Sequence, residues 1–147
     1  MKSIESRAVL NTTFHAVGRG GEVGLLTWSC LYWNYSEELL GGKWMQQKTS
    51  DVSDMTFFAD ASKFEVCQFH SMACYLIVGG GSRRASETWV FPFLNDISVS
   101  TAITRILKEL AVNVESLHSD VTSKDIRVGS ANDIINAEGK KTYRLSQ

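Results

Sequence analysis

The spacing of apolar residues changes twice along this chain, and that change limits the folds open to it more than any other feature. From Ser6 to Val17, the residues Val9, Leu10, Phe14 and Val17 recur as on one side of a helix. Gly18 ends that segment, and Glu22–Trp28 (EVGLLTW) predicts a short second helix. The pattern then becomes strand-like in the aromatic stretch Leu31–Tyr35. Lys43–Thr49 and Met55–Ala59 predict two more strands, with turns at Ser36–Gly42 and Ser50–Asp54. Helical spacing returns at Phe64–Val78 and is clearest at Ser98–Val112, where Ile103, Ile106, Leu107 and Leu110 share a face. Between them, Trp89-Val90-Phe91 leads into the only proline, Pro92, as a short extended piece before a turn. A last helix is expected from Thr122-Ser123 to Ala137, opened by the capping box Thr122-Ser-Lys-Asp125 and stopped by Gly139. The fold class expected is α+β and mainly helical, with a small three-stranded antiparallel sheet at one side.

With 147 residues the chain is long enough for one domain with a real core. Hydrophobic residues at 44% and charged residues at 21% argue against a disordered tail or a coiled coil. No apolar run approaches the ~20 residues of a membrane span, and Met1–Glu5 does not begin a signal peptide. An intracellular protein without a membrane partner is the expectation. Cys30, Cys67 and Cys74 suit neither a disulfide framework nor a zinc site. Cys67 and Cys74, seven apart, are expected on one helix face as small buried hydrophobes. The net charge of −1 gives no hint of nucleic-acid binding.

Several familiar motifs fail. The glycines of Gly18-Arg-Gly-Gly-Glu-Val-Gly24 follow a helical segment and lack the spacing of a dinucleotide loop. Gly79–Ser82 lacks the Gly-Lys-Ser/Thr ending of a P-loop, and no Gly-x-Ser-x-Gly elbow is present. His15, His70 and His118 are far apart, with no paired cysteines, so no metal is expected.

Three cationic features remain, each where an element begins or ends. They are Gly18-Arg19-Gly-Gly-Glu22, Lys48 in Gln-Gln-Lys48-Thr49, and Lys124-Asp-Ile-Arg127. Two arginines and a lysine without a metal suit phosphoryl transfer. A phosphodiester under attack gathers charge on its non-bridging oxygens, which guanidinium groups grip through paired hydrogen bonds. A hairpin lysine can protonate the departing oxygen. The N-terminus of the last helix is expected to add positive character toward the same phosphate.

In this order the segments resemble the catalytic domain of tyrosine recombinases, the phage-integrase-like enzymes of mobile elements. Phe14–Trp28 is similar to the family's first arginine box, Lys48-Thr49 to its β-hairpin lysine, and Thr122–Ala131 to its second arginine box, including the small residues after the arginine. The resemblance spans about Arg7 to Ala137. It implies an integrase-type catalytic domain that needs no cofactor, double-stranded DNA as partner, a homo-oligomer on DNA, and a DNA-associated location, nuclear in a eukaryote. It also implies that Arg19 and Arg127 clamp the scissile phosphate, that Lys48 protonates the leaving 5′ oxygen, and that Glu22 braces the arginine turn.

The chain departs from the family in two places. Lys124 stands where a recombinase has histidine, although Lys-Asp-hydrophobe-Arg also resembles the box of type IB topoisomerases. The family's tyrosine nucleophile follows further helices, whereas Tyr143 lies only 16 residues past Arg127 in a basic tail and is not assigned that role. A partial catalytic domain without its nucleophile, and without an N-terminal DNA-clamping domain, is therefore expected. Two other readings stay open: a domesticated, non-catalytic DNA-binding remnant, and an unrelated helical interaction domain.

Overall fold

A computed structural model describes residues 2–16, 20–45, 52–57, 59–60, 62–78, 89–94, 98–115 and 118–144. Helix α1 (Lys2–His15) leads to a short α2 (Gly20–Gly24) and a 3-10 turn at Trp28–Cys30. Strands β1 (Leu31–Asn34), β2 (Leu39–Met45) and β3 (Val52–Phe57) follow, then helices α3 (Gln68–Val78), α4 (Val99–Ala111) and α5 (Ser123–Arg144). The chain is thus mixed α+β and mainly helical, with one three-stranded antiparallel sheet in the order β1-β2-β3.

The sheet is set by alternation. In β3, Met55 and Phe57 are buried while Asp54 and Thr56 are exposed, so one face meets the core and the other meets water. Pairing places Gly42 opposite Met55 and Leu40 opposite Phe57, and Trp44 joins the same inner face opposite Ser53. Gly41 and Gly42, expected in a turn, instead lie inside β2. A Cβ at Gly41 would come within 2.3 Å of the Tyr32 ring, and one at Gly42 within 2.3 Å of Met55 Cε. Neighbouring side chains fill the space above both positions. The turn falls at Tyr35–Glu38, where Asn34 Oδ1 accepts hydrogen bonds from the Ser36 N–H (3.1 Å) and hydroxyl (2.7 Å). Glu38 completes it in the left-handed region, at φ 51°. Of the second expected turn, Val52, Ser53 and Asp54 belong to β3, and Ser50 and Asp51 lie outside the described residues.

Helix α1 begins at Lys2 rather than Ser6, since no glycine or proline precedes Ser6 to interrupt it. Its inner face carries Ala8, Val9, Thr12 and Thr13, all buried. Both threonine hydroxyls donate to carbonyls one turn back, Ala8 and Val9, at 2.8 Å, so burial leaves neither unsatisfied. A second face bears Arg7, Asn11 and His15, four residues apart. Arg7 donates to the carbonyls of Phe64 and Glu65, Asn11 to Glu65, and His15 to Val66 (2.6 Å). This row holds residues 64–66 in a turn, and α3 starts at Gln68 rather than Phe64. Cys67 consequently stands just ahead of α3, at its N-cap, with its carbonyl accepting the Ser71 N–H at 3.1 Å; it is buried, whereas Cys74 is only half-buried. All three cysteines are free thiols.

The second helix closes at Gly24, four residues earlier than expected, with tighter bonds from Leu25 N–H to Glu22 O (3.2 Å) and from Leu26 N–H to Val23 O (3.3 Å), and α4 packs closely against it. A Cβ at Gly24 would lie 2.1 Å from Val99 Cγ2. Thr27 and Trp89 form a β-bridge, and Val90 N–H donates to Leu26 O at 2.8 Å, so the expected extended piece is present at Trp89, while Val90 and Phe91 already bend toward Pro92. Pro92 then opens a 3-10 turn. Along α4, Ala102, Ile103, Ile106 and Leu107 are buried, whereas Leu110 is 40% exposed where the helix runs past the core. One apolar cluster joins α1, α2, the sheet, α3, the Val90–Leu94 stretch and α4, with Val121 and Ile126 packed against it.

Candidate functional site

The second arginine box occupies the first turns of α5. Thr122 N–H and hydroxyl donate to Asp125 Oδ2 at 2.7 and 2.8 Å, which forms the carboxylate half of the expected capping box. These bonds hold the Asp125 carboxyl below its usual range. The positive end of the helix is therefore already met by the helix's own carboxylate. The expected anion site at the bare N-terminus is weakened, and any attraction for a phosphate falls to the side chains.

Those side chains are Lys124 and Arg127, both exposed and one turn apart on the outer side of α5. The inner side carries Ile126 against the core and Ser130, 3% exposed. The Ser130 hydroxyl donates to the carbonyl of Phe14, 116 residues earlier, in the last turn of α1. Near the start of α5, the Ser123 N–H donates to Thr104 Oγ1 at 3.1 Å, and the Ser123 and Ser100 hydroxyls are 2.6 Å apart. Between α1, α4 and α5 lies a largely apolar hollow of about 270 Å³, whose lining includes Leu10, Phe14, Leu107, Ile126 and Gly129.

Glu22, in α2, is half-buried. Both α2 and α5 pack on the same two helices, α1 and α4, so the described parts of the two arginine boxes share one support. Arg19 and Lys48 lie outside the described residues. Tyr143 falls in the last turn of α5, which continues through Gly139 to Arg144 instead of stopping at the glycine. One glycine in a helix costs only about 1 kcal/mol relative to alanine, too little to end a 22-residue helix.

Sequence reasoning missed a second polar cluster, at the start of α3. The Cys67 thiol is buried and accepts the Asp60 N–H at 3.4 Å. Burial pushes it up, but hydrogen bonds from the His70 N–H and ring, and from the Asp60 and Phe69 amides, outweigh this and bring it to about 7. No sequence signal marked it, because the bonds depend on where the helix begins. Among the described residues, no group of three histidine, cysteine or carboxylate side chains is placed to hold a metal ion. No described helix is long and apolar enough to cross a membrane. No protein-family model matches the chain, and no curated protein or solved structure matches it either.

Proposed function

We propose that this chain is a DNA-binding domain of the tyrosine-recombinase type from a mobile element, related to site-specific strand cleavage and rejoining through a phosphotyrosine. The observation that carries the reading is the bond from Ser130 to Phe14. It ties the helix bearing Lys124 and Arg127 to the end of the helix that precedes Arg19 in the chain, which supports a two-arginine clamp on one phosphate. In this reading Arg19 and Arg127 grip the non-bridging oxygens. Lys124 donates a further hydrogen bond, Lys48 serves as general acid, and Glu22 braces the first arginine. Each such contact to a phosphodiester under attack is worth on the order of 3–4 kcal/mol in transition-state stabilisation.

The non-catalytic variant of this reading draws support from Asp125. Its carboxylate, next in sequence to Lys124, opposes a phosphate at the helix end, and Lys124 replaces the family's histidine. Binding to duplex DNA, followed by fluorescence anisotropy over a salt series, tests both forms. Affinity is expected to fall linearly with log salt, and Arg127→Ala to reduce the slope by about one unit. Absence of binding at low salt would sink both and leave a helical interaction domain. A nicked suicide substrate then separates them: a covalent adduct that disappears in Tyr143→Phe shows that the chain supplies its own nucleophile, and no adduct supports the binding-only form.

A further inference from the structure

We infer that Ser130 is a positioning residue for Arg127, acting by fixing the rotation of α5 against α1; the inference rests on the DNA-binding reading above. Helix α1 ends at His15, so the Phe14 carbonyl is one of four in its last turn without a partner inside the helix. The Thr12 carbonyl is taken by the Ala16 N–H at 3.1 Å. The Phe14 carbonyl instead receives the Ser130 hydroxyl from a helix that arrives more than a hundred residues later. Ser130 is the one buried polar residue of α5 among those whose side chains are described.

Its place on the helix gives this bond leverage. Ile126 and Ser130 are four apart and both face inward, so together they define which side of α5 meets the molecule. Lys124, Arg127 and Val128 then face outward. The second anchor, Ser123 on Thr104 and Ser100, lies seven residues earlier, about 10 Å along the axis. Arg127 sits between the two anchors, four residues from one and three from the other. With both in place α5 can neither slide nor turn, and the Arg127 head group approaches a phosphate from one direction. Without the Ser130 hydroxyl the Ser123 anchor still holds the helix start, but the segment carrying Arg127 is free to rotate. The open space beside Gly129, where a Cβ would meet nothing within 4 Å, leaves room for that movement.

The test compares wild type, Arg127→Ala, Ser130→Ala, the double variant and Ser130→Cys, all as full chains, binding a labelled 30-base-pair duplex across a salt series. Ser130→Ala is expected to lower the salt slope by about 0.9, as Arg127→Ala does, because one phosphate contact is lost in either case. The double variant should bind no more weakly than Arg127→Ala alone. Ser130→Cys, which keeps the size and a weak donor, should restore part of the slope. Ile103→Val, a core change that lowers thermal stability at a site away from α5, should leave the slope intact. A wild-type slope in Ser130→Ala, or effects of the two single changes that add, would overturn the inference while leaving the DNA reading standing. Failure of wild type to bind at low salt would remove that reading, and this one with it. A Ser130→Ala chain that does not fold shifts the decision to Ser130→Gly, which also lacks the hydroxyl, and a wild-type slope there overturns the inference.

Discussion

Cys67 shows how much a single position can depend on its surroundings. As a residue type it is a small apolar filler, yet amides at the start of α3 and the His70 ring hold its thiol near 7, against an ordinary value of 9.0. The folded thiol loses its proton at lower pH than the unfolded one, so between about pH 7 and 9 the unfolded chain binds more protons. Stability from this group is therefore fully present above pH 9 and is lost as pH falls through 7. Urea midpoints measured from pH 6 to 9.5 should rise across that window in wild type relative to Cys67→Ala. A constant offset between the two curves would show that the thiol does not titrate early. Asp125 illustrates the same dependence with the opposite legibility. Its capping role was readable three residues from Thr122, because both partners are local.

At the scale of elements, glycine was the residue most often misread. Gly41 and Gly139 read as a loop former and a break by local rules, Gly24 as the interior of a helix, and each has a different use in the fold. Gly24 allows α2 and α4 to approach, and the Val99 side chain above it is branched and stiff. Gly24→Ala should cost about 1–3 kcal/mol by overpacking, measured by denaturant unfolding. Gly41 is covered by the far end of the half-exposed Tyr32 ring, which can swing into solvent. Gly41→Ala should therefore cost less than Gly24→Ala, and the reverse order would contradict the packing described. Gly139 lies within α5, where alanine should add about 0.8–1 kcal/mol of helix stability and raise the helical circular dichroism signal. A neutral or negative effect would restore Gly139 as a helix stop. The amphipathic helix α4 was legible nearly to the residue because its apolar period is strong. Leu110 continues that period past the point where the core ends, which periodicity alone cannot reveal.

For the whole molecule, stability rests on one cluster that draws on helices and sheet together, so its members should unfold as a unit. Ile103, fully buried in α4, tests this. Ile103→Ala should cost about 2–5 kcal/mol, a large part of the ~5–15 kcal/mol typical of a domain. Circular dichroism and tryptophan fluorescence should then report a single shared transition, with the urea dependence unchanged. Two separate transitions would mean that the sheet and the helices hold independent cores. The same compactness brings α2 and α5 onto shared supports, the arrangement on which the proposed phosphate clamp depends.

The sequence by itself determined the order and kind of elements, the capping of α5 and the cationic character of its first turn. These follow from spacings of two to four residues, over which backbone geometry alone fixes which side chains are neighbours. Only the tertiary structure decided that Gly41 and Gly42 lie in a strand, that α3 waits until Gln68, and that Cys67 becomes acidic. It alone also paired Ser130 with a carbonyl 116 residues away. Each of these is settled by groups distant along the chain competing for the same hydrogen bond or the same volume. A one-dimensional pattern carries no record of which of them arrive.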